Sequence, residues 1–313
     1  MPTQDLAPAV KTVLCAIDLS SLTPHVLMTA AEVAQAYGAK LVVLHAVEIW
    51  DRRYDFVVEE MARRIELEAR AKVQAELAHL GPNPEVPVEV QVVKGHGYTA
   101  ISSAVKSLRP DLVVIGSHGR KGIDRILLGS VADRVLRQSP ASVLVVRPPK
   151  NPDFYTIACA VDFSDTSRQA LERALDLAVK DKVKAVKLIH VFEIPIIYIE
   201  AGMAYQSAFD HVMSIQKAEM EKFIEPYKDC GIAIDVTIEE GPTAPTILSF
   251  AERVGADLLV VGTHGRSRLG ALLIGGISSK VVHRATMPVL AVKASAHYEP
   301  LYAEMSKHPE QHG

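Results

Sequence analysis

Short aliphatic runs alternate with longer segments whose apolar residues recur every three or four positions, and this alternation continues along most of the chain. In the first half the runs at 13–17, 40–47, 88–93, 111–115 and 142–146 read as strands. The segments between them read as helices. One extends from a capping Ser20 or Ser21 to about Tyr37, where Gly38 stops it. A second covers 56–80, with Val57, Met61, Ile65 and Ala69 on one face, and ends at Gly81-Pro82. Two more cover 99–108 and 130–138. The second half follows the same order, with strands at 156–161, 186–190, 232–238, 257–261 and 289–292 and helices at 165–179, 209–227, 246–254 and 278–284. Strict strand–helix alternation predicts an α/β fold, a parallel sheet covered by helices on both faces.

The halves are copies of one another. Val13-Leu14-Cys15-Ala16-Ile17-Asp18-Leu19-Ser20 corresponds to Ile157-Ala158-Cys159-Ala160-Val161-Asp162-Phe163-Ser164, and Leu44-His45 to Ile189-His190. A repeat of about 145 residues is a duplicated domain; solenoid repeats are roughly 20–50 residues long. The breaker-rich stretch from Pro148 to Asp153 marks the joint. The expected division is a first domain over 1–149, a second over 150–295 and a polar, mobile tail over 296–313.

Composition narrows the partners. The chain is 49% hydrophobic with a formal net charge of −3, enough apolar material for two cores and no electrostatic case for nucleic acid or a membrane surface. No apolar run approaches the roughly 18 residues of a membrane helix, and the N-terminus lacks the pattern of a signal peptide. Of three cysteines, Cys15 and Cys159 occupy equivalent strand positions and read as buried thiols, with Cys230 alone near a turn. A reducing cytoplasm fits this usage.

The chemistry concentrates in one motif written twice. Gly116-Ser117-His118-Gly119-Arg120 is followed by Gly129-Ser130, and Gly262-Thr263-His264-Gly265-Arg266 by Gly275-Gly276. Both space their glycines as Gly, two residues, Gly, nine residues, Gly. Each copy follows a predicted strand and leads into a predicted helix. Such a turn lets backbone N–H groups approach an anion closely. Asp18 and Asp162 end the first strand of each half and fall on the same rim as the glycines. Read alone, the glycines are tight structural turns and the aspartates helix caps; together they point to a ligand. His118 and His264 read as loop-orienting groups, His45 and His190 as packed, hydrogen-bonded histidines. No HExxH motif or Cys/His cluster suggests a protein-encoded metal site.

These residues resemble the universal stress protein family, two domains in tandem. The resemblance extends to about Ala294, and Gly116, Gly119, Gly129 and Ser130 match the motif of its nucleotide-binding members in full. It implies an open parallel five-stranded sheet of order 3-2-1-4-5 in each half, the adenine nucleotide hydrolase-like fold, with ATP between strands 1 and 4. It implies that Asp18 meets the sugar or base, the Ala46 backbone the adenine, and Gly116, Gly119, Arg120, Gly129 and Ser130 the phosphates. The matching set in the second half is Asp162, Val191, Gly262, Gly265, Arg266, Gly275 and Gly276. It departs at Gly276, where the family has Ser or Thr, and at Arg268 in place of Gly122. Losing one neutral hydroxyl donor weakens affinity up to about tenfold, which ranks the first site above the second. The resemblance further implies pairing of the halves through their fifth strands, leaves room for a homodimer and allows Mg²⁺ or Mn²⁺ on the ATP phosphates. Without a Walker motif or a base near the γ-phosphate, the expected role is ATP-responsive regulation, with no catalytic residue assigned. A slow ATPase or nucleotide-transfer enzyme, and a nucleotide-free dimerisation module, remain the alternatives. The apolar segment Ile194-Pro195-Ile196-Ile197-Tyr198-Ile199 is either a cover for its own core or an interaction site.

Overall fold

A computed structural model of the chain describes residues 7–48, 55–79, 86–118, 128–148, 156–263 and 274–293; within 55–62 it describes the backbone and the Met61 side chain. The chain divides into two compact units, one built on Ala9–Pro149 and the other on Lys150–Ala294.

In the first unit β1 (Thr12–Ile17), β2 (Lys40–Val47), β3 (Val88–Lys94), β4 (Leu112–Gly116) and β5 (Ser142–Val146) are parallel, in the order β3-β2-β1-β4-β5. The connecting helices are α1 (Thr23–Tyr37), α2 (Asp55–His79), α3 (Gly97–Leu108) and α4 (Ser130–Gln138). In the second unit the strands are β6 (Ile157–Val161), β7 (Ala185–Phe192), β8 (Ala233–Glu240), β9 (Leu258–Gly262) and β10 (Val289–Val292), and they repeat the arrangement as β8-β7-β6-β9-β10. Its helices are α5 (Asp165–Lys180), α6 (Ile196–Glu200), α7 (Tyr205–Ile224), α8 (Thr243–Arg253) and α9 (Gly276–Arg284). The expected order 3-2-1-4-5 therefore holds within each half.

The central strands are aliphatic because they are covered on both faces. Val13, Leu14 and Cys15 are fully buried, as are Ile157, Ala158 and Cys159. Register is pinned at the N-terminal ends. The Asp111 carboxylate accepts from the N–H groups of Lys11 (2.8 Å) and Thr12 (3.0 Å), and Asp257 accepts from Thr156 N–H (3.0 Å). Gly38, at φ 60°, ends α1 in the left-handed conformation that a residue with a Cβ resists, and Ala39 N–H closes on Ala34 O at 2.8 Å.

Two local expectations are corrected. Neither Ser20 nor Ser21 caps α1: the N-cap is Leu22, and the Ser20 hydroxyl instead accepts from Leu22 N–H (3.4 Å). On α2 the buried stripe is Ala69 and Val73; Met61 is 62% exposed and Ile65 39%. Ala69 packs with Val47 and Val92, so this part of the helix covers the sheet. The segment after β7 contains the one-turn helix α6, whose Ile196 (70%) and Ile197 (63%) are exposed, against the first of its two readings, a cover for its own core. The helix end expected at Gly81-Pro82 and the Val57 side chain lie outside the described residues, as do the joint from 149 to 153 and the tail.

Burial raises the Cys15 and Cys159 thiols far above the ordinary thiol range, whereas Cys230 is half-buried. Native protein is expected to release about one equivalent in a thiol-reagent titration, from Cys230, and the other two only in denaturant. Fast reaction of all three would show that β1 and β6 open readily.

Candidate functional site

The sheet register sets the predicted residues in a row. Ile17 pairs with His45 on β2, and Ala16 with Ile115 on β4. Asp18, leaving β1, is therefore flanked by Ala46 on one side and by Ser117 on the other, with Gly116 level with Ile17, on strands about 4.8 Å apart. In the second half Val161 pairs with His190 and Ala160 with Val261, which sets Asp162 between Val191 and Thr263, with Gly262 level with Val161. Both rows lie at the C-terminal strand ends, between the strand pair where the order reverses.

Each aspartate shapes its own turn. Asp18 Oδ1 accepts from Ser20 N–H at 3.0 Å, and Asp162 Oδ1 from Ser164 N–H at 3.1 Å and Ser164 Oγ–H at 2.5 Å. These are turns that precede the helix; the cap of α5 is Ser164, whose Oγ accepts from Ser167 N–H at 3.2 Å. The residue after each aspartate is left-handed although it carries a side chain, Leu19 at φ 60° and Phe163 at φ 64°. Such a residue costs of order 1–3 kcal/mol and persists only where its surroundings hold it.

The glycine turns are closed at their base. Gly129 N–H donates to Ser117 O (2.7 Å), and Ser117 N–H to Val146 O (2.8 Å); Gly275 N–H donates to Thr263 O (2.6 Å), and Thr263 N–H to Val292 O (3.0 Å). The nine-residue spacing thus forms a loop whose two ends meet beside the strand. Gly129 and Gly275 are the N-caps of α4 and α9, so the N–H groups of Ser130, Val131 and Ala132, and of Gly276, Ile277 and Ser278, have no acceptor inside their helices. Gly119, Arg120, Gly265 and Arg266, with Gly122, His264 and Arg268, lie outside the described residues. His118 Nδ1 is 3.0 Å from Ser117 Oγ, which orients the start of the first loop.

The first glycine of each motif is needed for packing. A Cβ on Gly262 would stand 3.0 Å from the Thr166 carbonyl carbon and 3.1 Å from Ser167 N, in the first turn of α5. One on Gly116 would meet only the Leu22 side chain closely, at 3.1 Å. At Gly276 a Cβ would meet nothing within 4 Å.

The two helix starts also differ in charge. The first turn of α4 carries Asp133, joined to Arg137 Nε at 2.9 and 3.1 Å; the first turn of α9 has no acid. Ser278 Oγ–H donates to Gly262 O at 2.6 Å, which ties α9 to the end of β9. Two buried cations also escaped the motif search. Arg147 and Lys293, 2% and 4% exposed, directly follow β5 and β10, beside the carbonyls that hold the loop bases. Burial lowers them to about 10 and about 8. Their signal was a cation at the same place after the fifth aliphatic run of each half.

A sequence model described as the Universal stress protein family matches residues 9–147 and again 154–293. The chain belongs to this family. A universal stress protein of Mycolicibacterium smegmatis is 27% identical over 296 residues, covering 90% of this chain and 96% of its own length. Universal stress protein A homolog 1 of Coxiella burnetii is 37% identical over 142 residues, 44% of this chain and 95% of its own. Among solved structures, a functionally unknown protein from Pseudomonas aeruginosa PAO1 superposes with a TM-score of 0.71 at 19% identity, covering 96% of this chain and 98% of that one. A universal stress protein from Archaeoglobus fulgidus DSM 4304 does so at 0.66 and 24%, covering 90% and 98%. The fold is thus the adenine nucleotide hydrolase-like fold of universal stress proteins, present twice. Among the described residues of this universal stress protein, no three His, Cys, Asp or Glu side chains gather as a metal site, and no helix is long and apolar enough to cross a membrane.

Two outcomes follow from the rim. Gly262→Ala is expected to lower stability by about 1–3 kcal/mol in urea unfolding, because backbone must move, while Gly276→Ala stays within about 0.5 kcal/mol. Unfolded Lys293 keeps its proton up to about its ordinary 10.5, but the folded chain releases it from about 8. The unfolded state then binds more protons, so stability rises with pH between these values, and Lys293→Met is expected to flatten that rise in pH-dependent melts.

Proposed function

We propose that this universal stress protein binds ATP in each half and acts in the cytoplasm as a nucleotide-responsive regulator of the stress response. The observation that carries the reading is the repeated rim of acid, strand-end backbone and glycine turn, with Asp18 level with Ala46 and Ser117 one step beyond Gly116, and Asp162 level with Val191 and Thr263 one step beyond Gly262, beside a helix N-terminus. In it a carboxylate accepts from ribose hydroxyls, backbone at Ala46 or Val191 meets the base, and the first-turn amides of α4 or α9 meet phosphate. Gly129, Ser130, Gly275 and Gly276 open those helices; Gly119, Arg120, Gly265 and Arg266 complete the phosphate loop in this reading. Mg²⁺ or Mn²⁺ is carried by the phosphates. The domain division at 149/150, a tail from 296, pairing of the halves through β5 and β10 and a homodimer belong to the same proposal.

The two sites are closer in strength than the hydroxyl at Ser130 alone suggests. That hydroxyl contributes about 0.5–1.5 kcal/mol. Asp133 in the first turn of α4 opposes a bound anion only in part, because Arg137 pairs its carboxylate. The remaining difference stays within about tenfold, so both sites are expected to fill. Mass spectrometry of co-purifying nucleotide should find ATP, and calorimetry about two sites per chain, with affinities within about tenfold of each other. Asp18→Ala and Asp162→Ala should each weaken one site, and Gly276→Ser should tighten the second. No binding at millimolar ATP would end this reading.

A further inference from the structure

Each half holds one buried histidine at the rim with no role in the site as described so far. His45 and His190 are 4% and 6% exposed. His45 Nδ1 lies 2.9 Å from Ile17 O, and His190 Nδ1 2.8 Å from Val161 O. A carbonyl only accepts, so Nδ1 carries the proton in both. The carbonyl in question belongs to the residue before Asp18 or Asp162, where the first strand leaves its ladder and its backbone needs another donor.

The second contact lies on the other side of the aspartate. The Phe163 ring stacks on the His190 ring, with centroids 4.2 Å apart and planes 30° from parallel. Phe163 is the left-handed residue after Asp162, and Phe223 of α7 meets its ring edge-on at 5.5 Å. His190 Nε2 lies 3.0 Å from the Gln216 carboxamide, also on α7, which fixes the ring plane. The imidazole thus grips the backbone just before Asp162 and supports the strained residue just after it. The first half repeats the grip on Ile17 O and the left-handed residue at Leu19.

We infer that His45 and His190 are positioning residues, which hold the strained turn in the form that aims Asp18 and Asp162 at the nucleotide. The inference rests on the reading of those aspartates as nucleotide ligands. A histidine that only filled core space would be replaceable by any side chain of similar bulk. A positioning histidine is replaceable only by one that keeps a donor where Nδ1 stands. Asn has such a donor; Gln carries its amide one bond further out.

The experiment compares His45→Asn and His45→Gln in an Asp162→Ala background, so that calorimetry with ATP reads the first site. Hydrogen exchange at the Ser20 amide, which bonds the Asp18 carboxylate, is measured on the same proteins without nucleotide. Gln should weaken ATP binding about tenfold and speed Ser20 exchange, while Asn leaves both within about threefold. Adding Leu19→Gly to His45→Gln should restore both, because glycine takes φ 60° without strain. Equal loss in Asn and Gln, or no loss in Gln, would overturn the inference. If His45→Gln does not fold, recovery by Leu19→Gly supports it and failure to recover overturns it. If the unsubstituted chain binds no ATP while Ser20 exchange still follows the Nδ1 donor, the hold on the turn stands and the nucleotide reading falls.

Discussion

The parallel pairing of the first strand with both the second and the fourth is the constraint on which each half depends. A strand held on both sides and covered on both faces cannot drift in register, because a slip of one residue would turn its apolar side chains to the opposite faces. The carboxylates of Asp111 and Asp257 secure the other end of the same strand pair. Once that register is set, Asp18, Ala46 and Ser117 fall side by side, one step beyond Gly116, without any further instruction, and so do Asp162, Val191 and Thr263 beyond Gly262. The site is a consequence of where three neighbouring strands stop.

What happens beyond the strand ends is governed by close backbone approach. Helix α5 sits against Gly262 with no room for a Cβ, and α1 approaches Gly116 through the more yielding Leu22 side chain. The loop bases at Ser117–Gly129 and Thr263–Gly275 then bring a helix N-terminus to the same rim. At the rim, a left-handed residue with a side chain directly follows the acid in each half, Leu19 and Phe163; Arg109 and Lys182 share the conformation just past the ends of α3 and α5. The persistence of the residue after the acid in two halves that have otherwise diverged in helices, loops and charge suits a turn kept for the position of the carboxylate.

The halves are duplicates in topology but not in electrostatics. Ser130 and Asp133 face Gly276 and Ser279 at matching positions, so a hydroxyl donor and an acid are present together or missing together. Ser278 supplies a hydroxyl where the first half has Ala132, yet spends it on the Gly262 carbonyl. Counting motif residues alone therefore overstates the difference between the two turns.

Periodicity in the sequence was enough for the strand–helix order, the duplication and the rim position of the acids and glycines, because these depend on local hydrophobic spacing and on where strands end. The family motif added the strand order, which each half then showed. Other features depend on partners distant in sequence. The serines near position 20 looked like caps, but Leu22 starts α1, since the turn at Asp18 already uses the Ser20 amide. The stripe through Met61 and Ile65 looked like a buried face, but these two are exposed, and among the described residues of α2 the buried positions are Ala69 and Val73. The buried cations Arg147 and Lys293, the Cβ-free contact at Gly262 and the histidine grip on the strand-end carbonyls likewise emerged only from packing. Sequence determined which residues arrive at the rim; tertiary structure decided which of them are strained, desolvated or already bonded there, because those properties belong to neighbours that the chain brings together only when folded.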